Sequence, residues 1–392
     1  MAEEVKKIGW QQIISRWESG EYTLLDVRRE EAVAYGSIPG AVHIPDTEIE
    51  DRIQELEKDR PVVVYCKTGQ TSVGIARMLC ERGYDAYHLV GGYNAWLLDN
   101  LDQGMKSREE IEKSIRKKFH KSLFSRFAKA INQYELVQEN DRIAVCISGG
   151  KDSMLMAKLF QEIMRHNKFH FELVFLVMDP GYSPVNRRVI EDNAGHLGIP
   201  VSFFETNIFD AVYEIEKSPC YLCARMRRGY LYRRAQELGC NKIALGHHYD
   251  DVIETILMGM LYGGQVQTMM PKLHSTNFDG MELIRPMYLI REEDIKHWRD
   301  YNGLKFLQCA CRFTDTCASC NSEGVALSKR QEIKELIAHL KEINPYIESN
   351  IFKSVENVNL RTIIAYKKDG VQHHFLDEYY LKKDDGAAEN TP

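Results

Sequence analysis

Six short stretches of this chain carry residues whose types and spacing suit chemistry. The first, "VVVYCKTGQTSVGIARML", sets Cys66 after a strand-like run and before a helix-like one. A short loop containing Gly69 can curl its backbone N–H groups around one centre, with a helix N-terminus behind it. Such a cradle, with Lys67 adding positive charge, stabilises an anion such as a thiolate. A thiolate there can carry a persulfide or a phosphate. The second, "RIAVCISGGKDSMLMAKLF", repeats the order strand, glycine-rich turn, helix. Its turn runs Ser148, Gly149, Gly150, Lys151, Asp152, Ser153. Glycines let the backbone approach an anion, the helix N-terminus supplies N–H groups, and Lys151 adds a point charge. The spacing does not fit GxxxxGK[ST], so this is not an ordinary nucleoside triphosphatase loop.

Two further groups stand at later strand ends. Asp179 closes the next strand-like run, where it either meets a nucleotide or completes a turn. "KIALGHHYDD" gathers Gly246, His247, His248, Asp250 and Asp251 where open α/β sheets bind ligands. A carboxylate beside ATP can hold Mg²⁺ or handle a proton, and the plainer role for such residues is a helix cap.

The remaining stretches are cysteine-rich. "CYLCARMRRG" holds Cys220 and Cys223, and "FLQCACRFTDTCASC" holds Cys309, Cys311, Cys317 and Cys320. Thiolates at this spacing suit zinc or iron–sulfur alike. A Cys₄ zinc site can be drawn from Cys220, Cys223, Cys317 and Cys320, or from the last four alone. With ten cysteines and the reducing interior of a cell, short spacings favour ligands or nucleophiles over disulfides. Cys80, Cys146 and Cys240 lie in apolar or helical contexts and read as core.

The elements that must position these groups follow from periodicity. At 392 residues, and roughly 150 residues per domain, two or three domains are expected. "YTLLDV", "PVVVYC" and "AYHLVGG" are strand-like, and "SVGIARMLCERG" is a helix ending at Gly83. "RIAVCIS", "ELVFLVMD", "VSFFET" and "NKIALGHH" are strands of a second α/β unit. This predicts an α/β protein with two parallel-sheet domains. The boundaries are 1–100, a basic helical linker at 101–140, a second α/β domain at 141–327, and a helical extension at 328–392 with a disordered tail.

The net charge is −6, so any nucleic-acid surface must come from local clustering. No acidic residue occurs between Lys113 and Tyr134, where Arg116, Lys117, Lys118 and Lys121 interleave with apolar residues. That pattern reads as one basic amphipathic helix, either a solvated linker or a phosphate-binding arm. Arg225, Arg227 and Arg228, followed by Arg233 and Arg234, form a second basic group. No apolar run approaches the ~18 residues of a membrane span. The opening residues lack the apolar core of a signal peptide, which predicts a cytoplasmic protein with no membrane partner.

Two family resemblances gather these pieces. Residues 5–100 strongly resemble the rhodanese domain, on Asp26, Arg28, Gly36, Pro39, Gly40, Ala41, Pro45 and the six-residue loop from Cys66 to Thr71. That loop length implies a cysteine persulfide rather than a phosphate. Ser37 replaces the more usual His, and Gln70 and Thr71 stand where many thiosulfate sulfurtransferases carry Arg. "SGGKDS" is similar to the PP-loop of enzymes that cleave ATP to AMP and pyrophosphate. From about residue 116 to 361, the ordered set SGGKDS, CYLCARMRRG, KIALGHHYDD, LYGG, LIRPM and LQCAC resembles the tRNA 2-thiocytidine synthetases.

The resemblance implies a [4Fe-4S] cluster on Cys220, Cys223 and Cys309, with Cys311 the rival third ligand. It implies ATP bound by 148–153, Asp179, Gly246 and His247, with Mg²⁺, and Cys66 and Asp251 as catalytic residues. It also implies tRNA held by the two basic groups and a persulfide donor such as a cysteine desulfurase, and it allows a homodimer. The reaction expected is adenylation of the C2 oxygen of a cytidine in tRNA, then its replacement by sulfur relayed from Cys66 through the cluster.

Overall fold

Short β-branched runs bounded by turn residues become the strands of two sheets. The computed structural model describes residues 5–166, 169–208, 219–307 and 329–379; the side chains of 219–224 lie outside that description. The first sheet has five strands: β1 (Lys6–Ile8), β2 (Thr23–Asp26), β3 (Val42–His43), β4 (Val62–Tyr65) and β5 (Ala86–Leu89). All pair in parallel in the order β1-β5-β4-β2-β3, which makes β4 central. Every residue of β4 is buried, as a strand covered on both faces requires. β1 and β3 are too short for periodicity to reveal.

The second sheet has six strands: β6 (Arg142–Ile147), β7 (Glu172–Asp179), β8 (Val201–Glu205), β9 (Lys242–Ala244), β10 (Lys272–His274) and β11 (Glu282–Ile284). Their order is β10-β11-β9-β6-β7-β8, parallel except for the β10–β11 pair. The chain runs outward from β6 through β7 to β8, then returns to β9 on the other side. β6 therefore borders the switch point where doubly wound sheets bind ligands.

Residues 101–140, expected as a linker around one basic helix, form the helix Arg108–Arg116, a π-turn over His120–Phe124 and the helix Ser125–Gln133. Ile111, Ile115, Phe119, Leu123 and Phe127 all enter the core that also holds Phe160 and Trp298. The π-turn inserts one residue and rephases Leu123 and Phe127 onto the buried face. The same core includes Trp96, Leu97 and Leu101 beside Val189, Ile190 and Ala194, so the helices Gly92–Asp99 and Pro184–Leu197 share apolar packing.

A separate compact unit comprises 253–268 and 333–392. It holds the helix Ile347–Ser354 and a hairpin of β12 (Ala365–Lys368) and β13 (Val371–His374) that the helical reading of 328–392 did not foresee. Lys341 pairs with Glu348 at 3.1 Å within it. The tail expected to be disordered lies beyond residue 379, outside the described residues. Among the described residues, no helix is long and apolar enough to cross a membrane.

Candidate functional site

Cys66 leaves the C-terminal end of β4 and is 3% exposed. The Gly69 N–H donates to its Sγ at 3.1 Å, and Sγ lies 3.6 Å from Ser72 Oγ. The helix Thr71–Glu81 begins directly behind the loop. A second helix braces the loop backbone: Tyr93 N–H donates to the Cys66 carbonyl at 2.9 Å, and Asn94 N–H to that of Lys67 at 3.0 Å. Gly92 has φ +57, and a Cβ there would collide with the Cys66 carbonyl oxygen, so only glycine permits this approach. The cradle therefore holds a thiol whose sulfur already accepts a backbone donor.

Asp26 and Arg28 anchor the other side. Their side chains are almost wholly buried and paired at 2.6 Å, and Arg28 Nη2 also donates to the Gly36 carbonyl at 2.8 Å. The Arg28 guanidinium stacks 3.9 Å from the centre of the Tyr93 ring. Breaking a buried pair of this kind by removing one partner costs about 3–5 kcal/mol.

The turn after β6 is knotted by its own serines. Ser148 N–H donates to Ser153 Oγ at 3.1 Å, the two hydroxyls lie 3.2 Å apart, and Ser153 Oγ donates to the Gly150 carbonyl at 3.0 Å. Gly149 has φ +85, and a Cβ there would fall 2.5 Å from Ile190 Cγ1. The helix Lys151–Arg165 starts at once, with its free N–H groups at the turn. Lys151 Nζ is buried and lies 3.1 Å from both Asp152 and Glu292. Burial disfavours its charge, but Asp152 and Glu292 outweigh that and push its pKa up to about 12. The ammonium is therefore a fixed positive charge.

The group after β9 lies alongside. His248 N–H donates to Asp251 Oδ2 at 3.0 Å, and the His248 ring lies 3.5 Å from Asp251 and 4.0 Å from Asp152. Burial pushes the Asp251 carboxyl up, yet His248 and Arg330, the latter at 2.7 Å, hold it below the usual carboxylate range. Arg285 Nε donates to His247 Nδ1 at 3.3 Å. Burial, then the Arg285 charge, lowers the His247 pKa to about 4, so the ring is neutral. Asp250 is held by Arg291 at 3.0 Å and by the Glu292 N–H at 2.7 Å. Sequence reasoning missed Glu292, Arg291 and Arg330, and met Arg285 only within the LIRPM stretch, without a role. Each reaches the site from tens of residues away, and no local spacing marks the first three.

Asp179 ends β7 as expected, and its Oδ1 accepts from the Gly181 and Tyr182 N–H groups at 2.9 and 2.6 Å. Its Oδ2 faces Arg187 at 3.1 Å. These are the bonds of a strand-end turn.

Cys220 and Cys223 lie in the first turn of the helix Pro219–Glu237, three residues apart and so on one helical face. Their side chains, and all of Cys309, Cys311, Cys317 and Cys320, lie outside the described residues. Among the described residues, no cluster of three or more His, Cys, Asp or Glu is arranged to hold a metal ion. Cys146 and Cys240 are buried in the core, and burial raises both thiols.

The basic residues divide. Lys117, Lys121, Arg225 and Arg228 are exposed and Arg227 is half-buried. Arg116 pairs with Glu162 at 3.0 Å, and Lys118 Nζ sits 3.8 Å from the centre of the Tyr301 ring. Arg234 pairs with Glu237 at 3.0 Å.

Comparison with known proteins follows the same division. Residues 10–99 match the model of the rhodanese-like domain, and residues 119–311 match that of the PP-loop domain. The tRNA-cytidine(32) 2-sulfurtransferase of Pelobacter propionicus is 34% identical over 246 residues, covering 62% of this chain and 88% of that protein. The enzyme of the same name from Syntrophotalea carbinolica is 35% identical over 239 residues, covering 60% and 88%. Among solved structures, a U34-tRNA thiolase of Methanococcus maripaludis with its [4Fe-4S] cluster aligns at 22% identity and a TM-score of 0.46, over 59% of this chain and 76% of that one.

Proposed function

The chain belongs to the tRNA-cytidine(32) 2-sulfurtransferase family, with a rhodanese-like domain at residues 10–99, and from that premise we propose that it is a self-contained sulfur-insertion enzyme acting on a cytidine of tRNA. The observation that carries the reading is the pairing, in one chain, of a cradled cysteine at the end of β4 with a PP-loop at the end of β6.

In this reading ATP lies across the turn 148–153. The helix N-terminus and Lys151 meet its phosphates, and Gly246 and His247 border it with Asp179 nearby. Mg²⁺ arrives with the nucleotide, because such sites use one or two carboxylates plus substrate phosphates rather than a protein cage. Asp251 supplies the carboxylate beside it. The cytidine C2 oxygen attacks the α-phosphorus, the bond to the bridging oxygen breaks, and pyrophosphate leaves. Adenylation is needed because that oxygen is a poor leaving group and AMP is a good one. Sulfur then bonds to C2 as the C2–O bond breaks and AMP departs.

The sulfur comes from a persulfide on Cys66, loaded by a donor such as a cysteine desulfurase. Two electrons from a thiol reductant release it as hydrosulfide. Cys220, Cys223 and Cys309 would hold the [4Fe-4S] cluster, since three thiolates suit its irons and two of them share one helical turn. When bound, a cluster with three protein ligands supplies an iron with an open coordination position. Lys117, Lys121, Arg225 and Arg228 offer exposed charge for tRNA phosphates, with Arg116, Lys118 and Arg227 beside them.

The test is nucleoside analysis of tRNA from a strain lacking this protein. Loss of 2-thiocytidine, restored by the wild-type chain, is the expected result. Unchanged 2-thiocytidine would rule the reading out.

A further inference from the structure

We propose that Lys305 is a positioning residue of the ATP site, tying the segment that backs the PP-loop turn to the end of the rhodanese-like domain. That segment is 304–307. Leu304, Phe306 and Leu307 are buried in the core shared by the two domains, and Lys305 between them is only half-buried. The Phe306 ring stacks on Trp298, with centroids 6.4 Å apart. The Leu307 carbonyl oxygen lies 3.7 Å from the point where a Cβ on Gly150 would stand. Gly150 is the residue from which the helix Lys151–Arg165 starts. The segment therefore walls the PP-loop turn at the glycine whose backbone must approach a phosphate.

Lys305 holds this segment by its side chain and by its backbone. Its Nζ donates to the Asn100 and Gln103 carbonyls at 2.6 and 3.0 Å. Asn100 closes the helix Gly92–Asp99, and a lysine is suited to helix-end carbonyls by both its donors and its charge. On the other side, the Lys305 carbonyl accepts from Asn193 Nδ2 at 3.0 Å. Asn193 is buried on the helix Pro184–Leu197, one turn after the Ile190 that backs Gly149. Nearby, the Lys106 N–H donates to the Asn302 carbonyl at 3.1 Å. Gly303, with φ +65, approaches Gly104 so closely that a Cβ would collide with the Gly104 carbonyl oxygen.

The helix Gly92–Asp99 thus serves two loops. At its N-terminal end, the Tyr93 and Asn94 N–H groups hold the Cys66 and Lys67 carbonyls. At its C-terminal end, the Asn100 carbonyl holds Lys305. The rhodanese-like domain shapes the cysteine loop with one end of this helix and steadies the wall of the nucleotide turn with the other. The second task needs no sulfur on Cys66, so the two can be separated.

The inference rests on the reading of 148–153 as an ATP site, and the experiment distinguishes the two. Binding of a non-hydrolysable ATP analogue is measured by calorimetry on the full-length chain, well below its melting temperature. KM for ATP and kcat for tRNA-dependent pyrophosphate release are measured alongside. Lys305→Met removes both donated bonds and keeps the apolar stem. It should raise Kd and KM about five-fold, the size of one lost hydrogen bond, with kcat within two-fold and persulfide loading of Cys66 unchanged. Lys305→Arg, which can still donate to the carbonyls, should stay within two-fold of wild type. Wild-type affinity in Lys305→Met, whatever its melting temperature, would overturn the proposal and leave the ATP site standing. Equal losses in Lys305→Met and Lys305→Arg would also overturn it, because the donated bonds would not be the cause. If Lys305→Met fails to fold, Lys305→Gln, too short to reach both carbonyls, decides by the same measure. A wild-type chain that binds no ATP analogue would overturn the site reading and this inference together.

Discussion

Asn94 and Asn186, 92 residues apart in sequence, meet through a buried side-chain hydrogen bond of 2.8 Å. Asn94 also donates its backbone N–H to the loop of Cys66, at Lys67. Asn186 lies on the helix whose Ile190 backs Gly149 of the PP-loop turn. One hydrogen bond thus links the helix behind the candidate persulfide loop to the helix behind the candidate nucleotide loop. Lys305 Nζ reinforces the junction by donating to the Asn100 and Gln103 carbonyls at 2.6 and 3.0 Å.

Removing the Asn94 amide deletes this buried hydrogen bond. Asn94→Ala should therefore destabilise the chain by about 0.5–1.5 kcal/mol. Asn94→Ala with Asn186→Ala should cost less than the sum of the two single changes. Urea unfolding of the four proteins checks this, and strict additivity would show that the pair does not couple the domains.

The Cys66 cradle depends on a close approach that only glycine permits. Gly92→Ala should abolish persulfide loading of Cys66, read by thiol-specific labelling, while ATP-analogue binding stays within two-fold. Cys66→Ser should do the same, and should lose thiolation of tRNA when the persulfide donor is the sole sulfur source. Full thiolation by Cys66→Ser under that condition would show that the rhodanese-like domain is not the carrier.

Lys151 is a buried, permanently charged donor at the PP-loop turn. Lys151→Met should weaken ATP-analogue binding by at least about ten-fold, as expected for a lost hydrogen bond to a charged group. Calorimetry reads the change, and an unaltered affinity would place the phosphates elsewhere.

His247 gives the molecule a pH signature. Its folded pKa of about 4 lies below the ordinary 6.5, because the ring is buried beside Arg285. Between those values the unfolded chain binds a proton that the folded chain does not. Stability therefore rises with pH across that window and is lost as pH falls from about 6.5 toward 4. Melting temperatures of the wild type should follow this slope, and those of His247→Asn should follow a shallower one. Parallel slopes would remove His247 as the source.

The proposed cysteine ligands are open to direct assay. Anaerobically purified wild-type protein should carry iron and acid-labile sulfide, and Cys220→Ser or Cys223→Ser should lose both. Of Cys309→Ser and Cys311→Ser, the one that loses the cluster identifies the third ligand. A colourless, zinc-loaded and active protein would replace the cluster with a Cys₄ zinc site.

The sequence by itself determined the two α/β domains, the cysteine at the end of β4, the phosphate turn after β6 and the polar group after β9. Each of these is local: a buried β-branched run, glycines where backbone must pass close, and a helix beginning at once. What only the tertiary structure decided is everything joined across long stretches of chain. Lys151 finds Glu292, Asp251 finds Arg330, and Lys305 finds Asn100, each through contacts that leave no spacing to read. The stretch 101–140 shows the same limit, since its basic and apolar residues read equally well as a linker. Burial of Ile111, Phe119 and Phe127 is a property of the surface that receives them, and that surface exists only once the sheet of β6 to β11 has formed.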